Sequence, residues 1–138
     1  MDDTITANAK LVREFTRTFK NEHKVDAIDH LFSANFRHHF PPPARPGLAG
    51  FKDVGRMMNG AFPDVVVTEE DLIVTTDRVV ERSSAKGTHR GDFMGNAPTG
   101  KSIGWTEIHI YRIADGKIAE HWVEFALHQL IMQTSSRA

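Results

Sequence analysis

Cysteine is absent from this sequence of 138 residues, which excludes disulfide scaffolding, thiolate catalysis and sulfur-ligated metal. Nor is either charge in surplus. The 17 basic and 18 acidic side chains leave a formal net charge of −1 and are scattered rather than blocked, so there is no electrostatic footprint for nucleic acid or for an anionic membrane surface. No apolar run approaches the length of a bilayer span. The polar start, Met1-Asp2-Asp3-Thr4, lacks the basic and apolar regions of a secretory signal, and the expectation is a cytoplasmic protein. Internal repeats, low-complexity tracts and linker-like stretches are missing too, and the length suits a single domain, residues 1–138, able to bury a substantial core.

What is present changes in texture along the chain. Between Thr6 and about Asn21 the apolar residues Ala7, Leu11, Val12, Phe15 and Phe19 recur at helical spacing with charged residues between them, which predicts an amphipathic first helix. A shorter apolar pattern follows in Val25, Ile28, Leu31 and Phe32. The segment from Phe36 to Gly47 holds four prolines and cannot continue as helix, because proline lacks the amide donor; it predicts an irregular, partly extended loop. A third helix is expected over Leu48–Ala61, ended by Phe62-Pro63-Asp64. Beyond Asp64 the residues become β-branched and alternating, with strands expected at Val65–Thr68, Leu72–Thr75, Val79–Gly87, Ser102–Ile113 and Lys117–Phe125. The short turns between them favour antiparallel hairpins. Helices followed by strands make the fold class α+β, with helices covering one face of a curved antiparallel sheet. A short helical turn is expected over Leu127–Met132, and the polar end from Gln133 to Ala138 is expected to fray.

Eight histidines invite a metal hypothesis, but their spacing opposes it: His38 and His39 diverge in an extended segment, Glu120 and His121 alternate across a strand, and no His-x-Glu-x-x-His type motif occurs. Strand alternation sorts the remaining candidates by face. Glu81, Ser83 and His89 share one parity, Glu107 and His109 another, and Glu120, Trp122 and Glu124 a third. If those parities face an enclosed pocket, each strand delivers an acid or base to it; if they face solvent or a partner subunit, the same side chains hydrogen-bond to one another or to water. Both readings stand on sequence alone. Asp64 reads as a cap or ion-pair residue, and the glycines from Gly87 to Gly100 read as turn and bulge positions without the strand-to-helix context of a phosphate loop.

The order and spacing of Ala61-Phe62-Pro63-Asp64, the Gly-rich run from Gly87 to Lys101, Trp105-Thr106-Glu107-Ile108-His109, Asp115-Gly116-Lys117 and Glu120-His121-Trp122 resemble the SnoaL-like polyketide cyclases of the NTF2-like superfamily. The resemblance implies a cone with a pocket between sheet and helices, a homodimer packed through the sheet's other face, and no cofactor. It also implies general acid/base catalysis of an intramolecular aldol condensation by an acidic residue four positions after the tryptophan. Here that position is Ala126. Glu124, two residues earlier on the same nominal parity, becomes the candidate base. His39 from the loop, His89 and His109 become candidate donors or proton shuttles, and Phe36, Met58, Phe62, Trp105, Trp122 and Ala126 candidate substrate contacts. The expected function is the binding of a hydrophobic, oxygenated small molecule, with cofactor-free acid/base chemistry such as aldol cyclisation. A noncatalytic binding or accessory role is the alternative that Ala126 favours. Epoxide hydrolysis is less favoured, because no carboxylate, arginine and carboxylate set converges in the pattern.

Overall fold

The computed structural model describes residues 3–135. It opens with helix α1 (Asp3–Phe15), whose apolar stripe delivers Val12 and Phe15 to the interior. The helix then widens into a π-helical turn at Thr16–Asn21. Two 3₁₀ turns at Val25–Ala27 and Asp29–Leu31 bury Val25 and Leu31. Strand β1 (Phe32–His38), helix α2 (Gly47–Ala61), strands β2 (Val66–Val74), β3 (Arg78–Thr88), β4 (Ser102–Ala114) and β5 (Lys117–Phe125), and helix α3 (Leu127–Thr134) complete the order.

The five strands form one sheet in the order β1-β5-β4-β3-β2. Hairpins join β2 to β3, β3 to β4 and β4 to β5, all antiparallel. The sheet is nevertheless mixed, because β1 pairs with β5 in parallel. This corrects the expected all-antiparallel sheet and the expected loop from Phe36, whose first residues Phe36, Arg37 and His38 instead finish β1. The prolines begin at Pro41, beyond that pairing, so the missing amides cost the strand nothing. The two expected strands either side of Glu69 are one strand, β2, with a register shift between Glu69 and Asp71. Of the end expected to fray, Gln133 and Thr134 instead complete α3 and are hydrogen-bonded, and residues 136–138 lie outside the described residues.

Side chains of alternate residues point to opposite faces, and β3 shows it directly: Val79, Glu81, Ser83, Ala85 and Gly87 are buried while Val80, Arg82, Ser84 and Lys86 are not. The covered face packs into two apolar clusters. One gathers Val12, Phe15 and Phe19 with Phe32, Phe36, Phe51, Tyr111 and Ile113. The other gathers Phe62, Val67, Phe93, Ile103 and Trp105 with Leu130 of α3. Helix α2 seats against the first through Gly55, where an added Cβ would lie 2.2 Å from Phe19 Cζ, so only a residue without a side chain permits that approach. The opposite face of the sheet leaves Val66, Ile73, Ile108 and Ile110 exposed.

Candidate functional site

A cavity of about 100 Å³ lies between the two clusters, walled by Phe19, Phe51, Met58, Val67, Trp105 and Phe125. Its apolar lining is broken by Lys20, Asn59, Glu107, His109 and His121. Burial there raises the energetic stake of every polar contact, since an unpaired group has no water to fall back on.

Two hydrogen-bonded chains meet at this lining. In the first, Glu107 accepts from Trp105 Nε1 at 2.7 Å and from His109 Nε2 at 2.7 Å, and His109 Nδ1 lies 2.9 Å from His121 Nε2. Burial by itself pushes the Glu107 carboxyl up, but the hydrogen bond from His109, neighbouring positive charge and the Trp105 N–H outweigh it and hold the group down at about 2. Burial, with the Lys20 charge, lowers His109 despite the adjacent carboxylates. Burial and then neighbouring positive charge hold His121 well below its ordinary value near 6.5. With Glu107 ionised and both rings neutral, one proton arrangement satisfies the chain. His109 donates through Nε2 to Glu107, His121 donates through Nε2 to His109 Nδ1, and His121 Nδ1 keeps a free lone pair. That nitrogen is buried and has no hydrogen-bond partner among the described residues.

The second chain centres on Glu81 of β3, which is fully buried. It accepts from Thr16 Oγ1 at 2.8 Å, Lys20 Nζ at 3.0 Å and Tyr111 Oη at 3.2 Å. Burial acts to raise Glu81, and the charges of Lys20 and His109 with the Lys20 and Thr16 hydrogen bonds reverse the sign, leaving it lowered. Tyr111 is raised well above its ordinary value by burial and then by the charges of Glu81 and Glu107, so it remains a phenol and donates. Cross-strand pairing of Glu81 with His109 and of Tyr111 with His121 places the two chains side by side. Among the described residues no group of three or more His, Asp or Glu is placed to hold a metal ion.

The sequence pattern of the SnoaL-like polyketide cyclases matches residues 10–134. This chain belongs to the SnoaL-like polyketide cyclase family. The SnoaL-like, NTF2-like α+β fold is shared with solved structures. TsrD from Streptomyces laurentii is 28% identical, with a TM-score of 0.84 over 94% of this chain and 95% of that one. IdmH from Streptomyces antibioticus, a proposed polyketide cyclase, is 28% identical, with a TM-score of 0.79 over 91% and 96% of the two chains. AclR from Streptomyces galilaeus, a proposed hydroxylase, is 25% identical, with a TM-score of 0.84 over 94% and 96%. No curated protein matches the sequence.

In this SnoaL-like fold the residues singled out from sequence are dispersed. His109, Met58 and Trp105 line the cavity. Glu124 does not: it is exposed, and the cavity takes its neighbours Val123 and Phe125. Trp122 also lies off the cavity, where its indole stacks on His39 at 4.9 Å between centroids. His39 bonds Glu120 Oε2 at 2.6 Å in a cluster with Arg37 and Arg112, again outside the cavity lining. Phe36 and Phe62 are buried in the two clusters without lining the cavity, and Ala126 sits at the start of α3. His89 is fully buried beside Phe62, bonded through Nδ1 to Thr99, and likewise lies off the cavity.

One bulge explains the misplacement on β5. The hairpin pairs Ala114 with Lys117 and Ile113 with Ile118, then shifts so that Arg112 faces Glu120 and Ala119 is left unpaired. A one-residue shift exchanges the faces of everything that follows. Uninterrupted pairing would have turned Glu120, Trp122 and Glu124 inward; the bulge turns in His121, Val123 and Phe125 instead. Sequence reasoning therefore missed His121, together with Lys20 and Tyr111. A signal for Tyr111 existed in the Glu107, His109, Tyr111 alternation, whereas Lys20 depends on the π-helical turn and carries no local mark.

Proposed function

We propose that this SnoaL-like protein binds a hydrophobic, oxygenated small molecule in the cavity and carries out cofactor-free acid/base chemistry on it, of the kind an intramolecular aldol cyclisation requires. The observation that carries the reading is the chain Glu107, His109, His121, whose three residues all line the apolar cavity and which ends on a buried ring nitrogen without a partner among the described residues. His121 Nδ1 is the base. When it takes a proton from a carbon next to a carbonyl, His121 Nε2 can release its own to His109 Nδ1, so the positive charge settles on His109 between Glu107 and Glu81. Reversal of the same shifts returns a proton to the product. Ala126 then needs no carboxylate, because Glu107 acts from β4 through two imidazoles. The exposed apolar residues Val66, Ile73, Ile108 and Ile110 on the far face of the sheet support a homodimer formed there.

Exchange of the α-hydrogens of 1-phenylpropan-2-one with deuterated water, followed by NMR, tests the reading without knowledge of the natural substrate. Wild-type protein is expected to accelerate exchange, His121→Phe to abolish the acceleration, and Glu107→Gln to cut it by about 10²-fold, the usual worth of a positioned acid/base group. Ketone that binds wild-type protein without faster exchange would select the noncatalytic binding role that Ala126 favours.

A further inference from the structure

Lys20 is not required by the acid/base relay, yet it is built into the cavity. Its side chain is 11% exposed, and its ammonium lies 5.7 Å from the Phe15 ring centroid and 5.9 Å from that of Tyr111. Two of its three N–H bonds are committed, to Glu81 Oε1 at 3.0 Å and Tyr111 Oη at 3.2 Å. Among the described residues no acceptor takes the third, and Lys20 lines the cavity. The backbone at this point is π-helical from Thr16 to Asn21, a wide turn that is rare, less favourable than continued α-helix, and concentrated at functional sites. Thr16 and Lys20 of this turn bond the same carboxylate of β3.

From this geometry we infer that Lys20 is an oxyanion-binding residue, and that the ligand is a weak oxygen acid, an enol or a phenol with an apolar body, which enters neutral and ionises in the cavity. The inference rests on the ligand-binding reading above and specifies the ligand's chemistry. The charged and titratable groups facing the cavity and its lysine are Lys20, Glu81, Glu107, His109, Tyr111 and His121. With both rings neutral and Tyr111 a phenol, one ammonium stands against two carboxylates. A preformed carboxylate ligand would add a third negative charge to a poorly solvated site, which is costly. A neutral acid avoids this. Its O–H bond breaks, the proton adds to His121 Nδ1, and the electron pair stays on the ligand oxygen, which accepts the third Lys20 N–H. The total charge of site and ligand is unchanged.

4-Nitrophenol is a suitable probe, because phenol and phenolate absorb at different wavelengths. 4-Nitroanisole, which has no O–H, and 4-nitrobenzoate, which arrives ionised, are the comparisons. Bound 4-nitrophenol is expected to ionise at lower pH than in water, its acidity raised about tenfold or more, the size of one charge-assisted hydrogen bond. Lys20→Met paired with Glu81→Gln removes the cation without stranding a buried carboxylate and should lose more of the increase than Glu81→Gln alone, which keeps the ammonium. On going from wild type to the double variant 4-nitroanisole should lose less affinity than 4-nitrophenol, and 4-nitrobenzoate should bind wild type more weakly than the phenol. Unaltered acidity of the bound phenol, raised acidity that persists in the double variant, or equal affinity for the benzoate overturns the role of Lys20 and leaves ligand binding standing. If none of the three probes binds, ligand binding fails as well.

Discussion

Replacing Glu81 by glutamine changes one atom, and the structure sets how much that should cost. Glu81 is fully buried and carries the ion pair with Lys20 at 3.0 Å, together with the bonds from Thr16 and Tyr111. Glutamine retains one acceptor oxygen but strands the ammonium. Removing one partner of a buried pair costs about 3–5 kcal/mol. Lys20 keeps 11% exposure and the Tyr111 oxygen, which places the loss near the lower end, about 3 kcal/mol. For a chain of this length each kcal/mol shifts Tm by about 4 °C, so a fall of about 12 °C is expected at neutral pH in a calorimetric scan. Adding Lys20→Met should recover at least half of it, because removing both charges of a buried pair is often close to neutral. The pH dependence has a definite sign. Folding lowers the Glu81 carboxyl from its ordinary value near 4.5, so its contribution is complete above that pH and is lost as pH falls through the lower folded value. The gap between wild type and Glu81→Gln should therefore close in acid. A Glu81→Gln protein that melts within about 2 °C of wild type, or a double variant less stable than the single one, would refute the placement of a desolvated pair beneath the cavity.

Gly91→Ala should be among the more damaging small substitutions, since the new Cβ would fall 2.0 Å from the Gly60 carbonyl oxygen at the end of α2; overpacking of this kind costs about 1–3 kcal/mol, readable in urea denaturation. Glu124→Gln is expected to leave both stability and ketone exchange unchanged, because the side chain is exposed and off the cavity; a loss of exchange would contradict the inward placement of His121. Ile108→Glu puts a charge on an exposed apolar position of the outer sheet face and should convert the proposed sheet-face dimer to monomer in sedimentation analysis; a wild-type protein that sediments as a monomer, or an unchanged mass in the variant, would refute that contact. Exchange activity should persist as pH is lowered through 6.5, because burial keeps His109 and His121 below that ordinary value; an acid limb centred at 6.5 would mean that neither ring is the working base.

Much of the fold is legible in the residues themselves. Apolar spacing sets α1 and α2, β-branched alternation sets β3, β4 and β5, and the motifs shared with SnoaL-like proteins give the α+β class, because each of these signals is local and repeats with the period of its own element. The inward direction of Glu107 and His109 follows from the same alternation once one face is covered. What the sequence could not settle depends on contacts between distant segments. Phe36 to His38 extend as a strand because β5 offers them a parallel edge, a partner more than 80 residues away along the chain. Ala119 drops out of register on β5, and nothing in Lys117-Ile118-Ala119-Glu120 announces it; that single unpaired residue exchanges Glu124 for His121 at the cavity. Lys20 reaches Glu81 across 61 positions through a turn whose width no local pattern encodes. Periodicity fixes which residues share a face, whereas which face meets the cavity is decided where strands pair and helices dock.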